Sequence, residues 1–310
     1  MTPHDPRAAA GLTAVVSAVV VSSWGFIIVK LIDLPAAVIS FWRLVAGATV
    51  LSAVALALRT PWPRLRGAVL VAGLAFGVHQ LLFVVATKAT SVAIVTLVGA
   101  LQPLLVSLAS RRVVGERVPL PLVGFSALAL AGVGIVVHAN LGDPSRSLAG
   151  DLLAVANVLM FTAYFLFAKR ARQEGAATLT FTASVFAVAL IVVAPVMVLG
   201  GAALPSGGQA GMILLLAMAP GNGHLLINWA HRRVSAALSS LALAAIPLLS
   251  SVWGRLVLGE PYGWRHAAGM LLTIVAIEGG RRVERARAVG EAAAVRAPRA
   301  DGADEKGLGG

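Results

Sequence analysis

Five polar side chains interrupt two long apolar stretches of the sequence and are its clearest candidates for chemistry. His79 and Gln80 lie in one stretch, and Asn222, His224 and Asn228 lie in another. Polar groups at membrane depth are costly, so they usually face a cavity or a partner. We expect these residues to bind a solute midway through a bilayer. The structural alternative is that they only form hydrogen bonds between helices.

Arg43 is the sharpest single charge, because it lies well inside another apolar stretch. A guanidinium that faces a cavity offers a bidentate clamp for carboxylate or phosphate. The alternative is that its long side chain snorkels back to the membrane surface. Further candidates for substrate contact are aromatic and amide side chains at depth, namely Trp24, Gln102, Asn157 and Tyr164.

The residue types that are missing limit the chemistry. The chain has no cysteine, and its 13 Asp and Glu residues fall in predicted loops, helix ends or tails. Without a buried acid, export of organic cations is disfavoured. His79 and His224 are the titratable groups at depth, so they are the candidates for proton coupling. The sequence therefore predicts no metal site, no cofactor and no catalysis, with an integral membrane enzyme kept as an alternative.

The elements that position these residues are predicted from hydropathy. The chain is 58% hydrophobic and 12% charged, whereas soluble domains carry about 25% charged residues. Stretches of about 20 apolar residues cross a bilayer as helices. We predict an all-α integral membrane protein with ten spans: 11–30, 35–58, 67–87, 89–110, 118–139, 150–168, 176–199, 209–230, 234–257 and 262–280. Residues 283–310 are predicted to be a disordered cytoplasmic tail.

The distribution of basic residues predicts the orientation. With a cytoplasmic N-terminus, 19 of the 25 Lys and Arg residues fall inside and 5 fall outside. This asymmetry favours both termini in the cytoplasm, in a multi-pass protein of the plasma membrane. Although the net charge is +12, the basic residues are spread between spans. We therefore expect a lipid bilayer and a small-molecule substrate as partners, and no nucleic acid.

The chain resembles itself at an offset of 144 residues. Pro103 and Glu116 fall opposite Pro247 and Glu260, with the same spacing of 13 residues. Equivalent spans are five apart, an odd number, so the two repeats are predicted to have opposite orientations in the membrane. The repeats cover 11–140 and 148–282.

The prolines and glutamates of the repeat are predicted to be structural. Pro103 and Pro247 are expected to act as bends or hinges. Pro220, which is followed by two nearby glycines, is expected to break its helix just before a polar cluster. Glu116 and Glu260 are interpreted as helix-end residues that accept backbone N–H groups or pair with a neighbouring Arg.

These motifs resemble the EamA family of the drug/metabolite transporter superfamily. The resemblance rests on the two Gly-Glu motifs, each 13 residues after a proline, on Trp24-Gly25, on Arg43 and on Gly150-Asp151. It implies ten helices, a central cavity and secondary transport of small metabolites. The amides and Arg43 favour amino acids or other carboxylates as substrates. A passive channel or scaffold is a further alternative, and no P-loop motif supports ATP drive. The oligomeric state has no signal in the sequence.

Overall fold

Helices form the whole of the regular structure in the described part of the chain. The computed structural model describes residues 6–90, 95, 98–138, 147–259 and 263–296. The helices in these ranges, numbered in chain order, are α1 (Pro6–Ser22), α2 (Gly25–Leu31), α3 (Ala36–Ala57), α4 (Ala68–Ala89), α5 (Gln102–Val113), α6 (Leu120–His138), α7 (Leu148–Gln173), α8 (Thr178–Leu199), α9 (Gly207–Met218), α10 (Pro220–Ala230), α11 (Ala236–Leu243), α12 (Ile246–Leu258) and α13 (Trp264–Arg296).

Seven helical stretches are long and apolar enough to cross a membrane within the described ranges. They are Pro6–Leu31, Ala36–Ala57, Ala68–Ala89, Leu148–Gln173, Thr178–Leu199, Gly207–Ala230 and Ala236–Val257. The other three predicted spans differ for separate reasons. Leu120–Ile135 is a shorter apolar helix. Charges at Arg265 and Glu278 shorten the apolar part of α13. The span predicted at 89–110 is only partly described.

Several spans are broken into two helices, and prolines explain where the second part begins. Pro220 starts α10, while Pro103 and Pro247 stand in the first turns of α5 and α12. Proline suits the first helical turn because an N–H there has no partner within the helix. Pro103 and Pro247 were predicted to act as bends or hinges. Each stands just after the start of a helix, so the interruption of the span lies beside it, and the hinge role stays a prediction.

Large apolar side chains point outward along many helices. Leu120 is 81% exposed and Leu199 is 88% exposed. A protein that displayed so many such residues to water would aggregate, whereas lipid solvates them. The aromatic core lies inside, where Phe76, Phe181 and Phe186 join α4 to α8. The distribution fits a multi-pass membrane protein.

Glycines allow two of these helices to approach closely. A Cβ built at Gly73 would lie 2.6 Å from Val188, and one at Gly77 would lie 2.8 Å from the carbonyl oxygen of Ala189. Both neighbours belong to α8. The small residues of α4 therefore form a contact face for α8, as small residues do at membrane helix interfaces. Helix α4 also packs on α7, α3 packs on α8, α6 packs on α13, and α1 packs on α10.

The segment after residue 282 differs from the prediction of a disordered tail. Helix α13 continues to Arg296, and residues 297–310 lie outside the described ranges. Ala, Arg and Glu are strong helix formers, which explains the extension. Glu278 also pairs with Arg281 and Arg282, three and four residues further along the helix.

We predict that Gly77→Ala destabilises the protein by about 1 to 3 kcal/mol relative to a matched control, because the new methyl group overpacks the α4–α8 contact. Gly124→Ala is the control, since a Cβ at Gly124 meets no atom within 4 Å and the gain in helix propensity is the same. Thermal unfolding of both variants in one detergent measures the difference. Equal midpoints would contradict the close contact.

Candidate functional site

A central cavity of about 130 Å³ lies where α3, α4 and α7 meet the broken helices. Its lining includes five of the polar side chains that the sequence singled out, Arg43, His79, Gln102, Asn157 and His224. Pro220 and Pro247 also line it. These residues come from both sequence repeats, so the cavity depends on the two halves together.

Three helix N-termini reach the wall of the central cavity. Helix α5 begins at Gln102, α10 begins at Pro220 and α12 begins at Ile246, and all three residues line the cavity. The first N–H groups of a helix have no partner within it, and the helix dipole makes this end partly positive. The breaks in the spans thus bring three N-terminal helix ends to one place, beside the C-terminal end of α11, where Leu243 and Ala244 also line the cavity.

Arg43 adds a full positive charge at the same place. It is 7% exposed, so it does not snorkel to the surface. Among the described residues, its hydrogen-bond partner is the side-chain oxygen of Gln80. A Cβ at Gly221 would come within 3.8 Å of the Arg43 Nε, which places the guanidinium against the first turn of α10. The described lining contains no Asp or Glu to balance it.

Two histidines and an amide stand together in the central cavity. The Nδ1 of His79 lies 2.7 Å from the Oδ1 of Asn157, and its ring stacks on Phe161 with centroids 4.7 Å apart. The rings of His79 and His224 are 6.2 Å apart. The Nδ1 of His224 is buried and has no partner in the described residues. The Nε2 of Gln102 is likewise buried without a hydrogen-bond partner in the described residues. Both therefore have hydrogen-bonding capacity left for a ligand.

Five other predicted contact residues lie away from the cavity lining. They are Trp24, Gln80, Tyr164, Asn222 and Asn228. Gln80 is fully buried behind the cavity wall, where it holds Arg43. Trp24 stacks on Trp253, with ring centroids 4.6 Å apart. Asn222 donates to the carbonyl oxygen of Met218 at 2.5 Å, across the break between α9 and α10.

Tyr164 and Asn228 belong to a separate buried network. The hydroxyl of Tyr164 donates to the Oδ1 of Asn228 at 3.2 Å, and the Nδ2 of Asn228 donates to Thr182 at 3.0 Å. All three residues are fully buried. This network uses both ends of the Asn228 amide, so it joins α7, α8 and α10 through buried hydrogen bonds away from the cavity lining.

Glu116 accepts a backbone N–H at the start of a helix, as expected, but that helix belongs to the other repeat. Its Oε2 accepts from the N–H of Ala236 at 2.8 Å, and its Oε1 lies 2.7 Å from the Nζ of Lys169. An Arg was expected as the ionic partner. The true partners are distant in sequence, so local spacing could not identify them. Glu260 lies outside the described residues.

Reasoning from the sequence missed the apolar part of the cavity lining. Phe26, Phe83 and the helix start at Ile246 line the cavity. An aromatic residue in an apolar span has a hydropathy close to that of its neighbours, so the local sequence does not mark it as a lining residue. The Pro247 that follows Ile246 was the available signal for the helix start. In the described residues, no three His, Asp or Glu side chains group as a metal site would need.

Comparisons with known proteins agree with the membrane architecture. The model of the EamA-like transporter family matches the chain twice, over residues 9–138 and 148–278. No curated protein matches the sequence. A solved crystal structure superposes with a TM-score of 0.75 at 20% identity, and the alignment covers 89% of this chain and 98% of the other. At that identity the likeness supports the fold alone.

We predict that Tyr164→Phe lowers stability by about 1 to 2 kcal/mol, because it leaves the buried Oδ1 of Asn228 without its donor. Solute affinity should stay unchanged, since the hydroxyl does not reach the cavity. Thermal unfolding and ligand titration of the same sample separate the two effects. A variant of unchanged stability whose affinity fell tenfold would place the hydroxyl in the binding site.

Proposed function

We propose, since this chain belongs to the EamA-like transporter family, that it is a secondary transporter of small carboxylate-bearing metabolites, amino acids included. Members of this family are membrane transporters of the drug/metabolite superfamily. The single observation that carries the substrate class is the positive charge of Arg43 in a cavity whose described lining contains no carboxylate.

The electrostatics of the central cavity support an anionic group on the substrate. Removing a charge from water costs several kcal/mol unless a partner compensates it. Arg43 is buried beside the N-terminus of α10, and no described lining residue is a carboxylate. Helix N-termini and Arg are both binding sites for carboxylate groups. The missing counter-charge is the one that a carboxylate substrate supplies.

The rest of the lining supports a small amphipathic solute. Phe26, Phe83 and Phe161 supply apolar surface to the lining, and the ring of Phe161 stacks on that of His79. A solute in a cavity of about 130 Å³ has to be small. The carboxylate would face Arg43, and an apolar part would face the aromatic rings, as in most small-molecule sites.

Helix packing supports alternating access by ten spans in two inverted repeats. In the predicted order of spans, α3 and α8 are equivalents, as are α6 and α13, and each pair packs together. The packing of α4 on α7 likewise has its equivalent in the packing of α10 on α1. Contacts that repeat in this way fit a pseudo-twofold arrangement, in which the halves exchange conformations around a central site.

The positions of the basic segments support the proposed orientation. Residues near 117, 169, 232 and 287 are all predicted to be cytoplasmic, and all line one pocket at one end of the protein. We therefore propose that the protein lies in the plasma membrane and that both termini are cytoplasmic.

We predict that Arg43→Gln reduces exchange of a carboxylate solute at least about tenfold, since a charge-assisted bidentate contact is lost. Arg43→Lys should lose less, because the charge remains and only the fork geometry is lost. A thermal-shift screen of amino acids and organic acids selects the solute, and counterflow in proteoliposomes measures its exchange. Arg265→Gln, at an exposed arginine, is the control.

Exchange by Arg43→Gln at the wild-type rate would contradict the proposed role of the guanidinium. Uptake by the wild type that rises without saturation would support a passive channel in place of a carrier.

Proton coupling remains a prediction for the histidines. Because the Nδ1 of His224 has no hydrogen-bond partner among the described residues, we expect His224→Ala to flatten the pH dependence of transport. His79→Ala should mainly weaken binding, because His79 is already paired with Asn157. Liposome flux at several pH values tests both variants, with His138→Ala, at an exposed residue outside the cavity, as the control. Unchanged rates and pH profiles in both would sink the proposal.

A further inference from the structure

A second pocket, with a volume of about 630 Å³, lies at one end of the protein and is separate from the central cavity. Its walls come from the loop after α5, the end of α7, the turn between α10 and α11, and the late part of α13. We call it the basic pocket, after the lining side chains Arg117, Lys169, His231, Arg232, Arg233 and Arg287. Two carboxylates, Glu116 and Glu284, also line it.

Both carboxylates of the basic pocket already have partners. Glu116 binds Lys169 and the N–H of Ala236. Glu284 accepts from the hydroxyl of Ser235 at 2.9 Å. Burial raises the pKa of Glu284, although the bond from Ser235 opposes this shift. Glu116 is therefore occupied by Lys169 and a backbone N–H, and Glu284 is held by Ser235.

The arginines outnumber these carboxylates. Arg233 lies over the ring of Trp229, 3.5 Å from its centroid. Arg117 and Arg232 are exposed at the pocket, and in the described residues no carboxylate lies within 4 Å of either. Their planar forks suit an anion with several oxygen atoms, such as a phosphate group.

His231 supplies an independent observation, a polar side chain at the pocket whose hydrogen bonds are unmet within the part of the chain that the structure describes. It lines the basic pocket, yet its side chain is only 1% exposed. Both ring nitrogens are buried without a partner in the described residues. Burial lowers its pKa well below the usual value, and the charges of Lys169 and Arg172 lower it further. The ring is thus neutral, with one N–H donor and one acceptor unmet, and such groups are rare unless something binds them.

We propose that the basic pocket binds a phosphate group, carried by either an anionic phospholipid or a soluble phosphate compound. Arg117 and Arg232 hold its oxygens, and His231 donates one hydrogen bond. The basic residues alone have a simpler explanation in membrane orientation. That explanation does not account for a buried imidazole with two unmet nitrogens, whereas basic pockets at the cytoplasmic side are suited to lipid headgroups. The site is independent of the proposed transport activity.

Titration of the full-length protein in detergent tests the proposal. The probes are phosphatidylglycerol in mixed micelles, phosphatidylcholine as its neutral counterpart, and inorganic phosphate, all at one ionic strength. The unfolding midpoint follows binding, and native mass spectrometry counts bound lipid. The variant Arg117→Gln/Arg232→Gln should bind the anionic probe at least about tenfold more weakly. Arg111→Gln/Arg112→Gln is the matched control, since both residues are exposed near the pocket but do not line it.

His231→Leu provides a second test with an opposite effect on stability. Replacing an unpartnered buried polar group with an apolar one of similar size should leave the ligand-free unfolding midpoint unchanged or raise it. The same change should weaken binding of the anionic probe. Misfolding would also weaken binding, but it would lower the ligand-free unfolding midpoint, so the midpoint separates the two explanations.

The outcomes divide clearly. Saturable binding of phosphatidylglycerol but not of inorganic phosphate identifies a lipid site, and saturable binding of inorganic phosphate identifies a site for soluble phosphates. The proposal is overturned if neither anionic probe gives saturable binding, or if both double variants lose affinity equally. It is also overturned if His231→Leu binds the anionic probe as the wild type does.

Discussion

The centre of this protein depends on one constraint: Arg43 is buried in a cavity whose described lining contains no carboxylate. Arg43 is 7% exposed and lies against the first turn of α10, the positive end of that helix. In a medium of low dielectric, like charges repel strongly and a lone ion is costly. The side-chain oxygen of Gln80 accepts a hydrogen bond from the Arg43 guanidinium and fixes its position. Helix packing keeps the start of α10 beside it. An anion bound in the cavity, as we propose for the substrate, would relieve this repulsion.

The broken helices connect this electrostatic arrangement to the backbone. A continuous helix keeps its N–H groups bonded internally, whereas a break at membrane depth exposes the first N–H groups of the next segment. Pro220 and Pro247 follow two such breaks. Close contact between α4 and α8 at Gly73 and Gly77 then fixes the frame around the breaks. The central cavity needs both features, since an open frame would admit water and reduce the effect of the charge.

Polarity contrast explains how much of the site could be predicted from sequence. Arg43, His79 and His224 stand out against apolar neighbours, and the structure places all three in the cavity wall. The same contrast also selected Tyr164 and Asn228, which satisfy each other elsewhere. Sequence cannot separate the two cases, because the difference lies in which partner each polar atom finds across the fold.

The features that the sequence did not predict involve partners distant in sequence or segments of uniform composition. Lys169 is 53 residues from its partner Glu116, so local spacing favoured nearby arginines. Aromatic lining residues such as Phe83 have no local signature in an apolar helix. The extension of α13 was missed because Ala- and Arg-rich composition fits both a helix and a solvated tail.

The most direct measurement of the central claim compares two solutes of nearly equal shape and different charge. Phenylacetate and phenylacetamide differ by a carboxylate and its neutral amide, and calorimetric titration of the purified wild-type protein measures their affinities. The uncompensated charge of the cavity predicts that the carboxylate binds at least about tenfold more tightly. Equal affinities, or tighter binding of the amide, would contradict an anion-selective cavity.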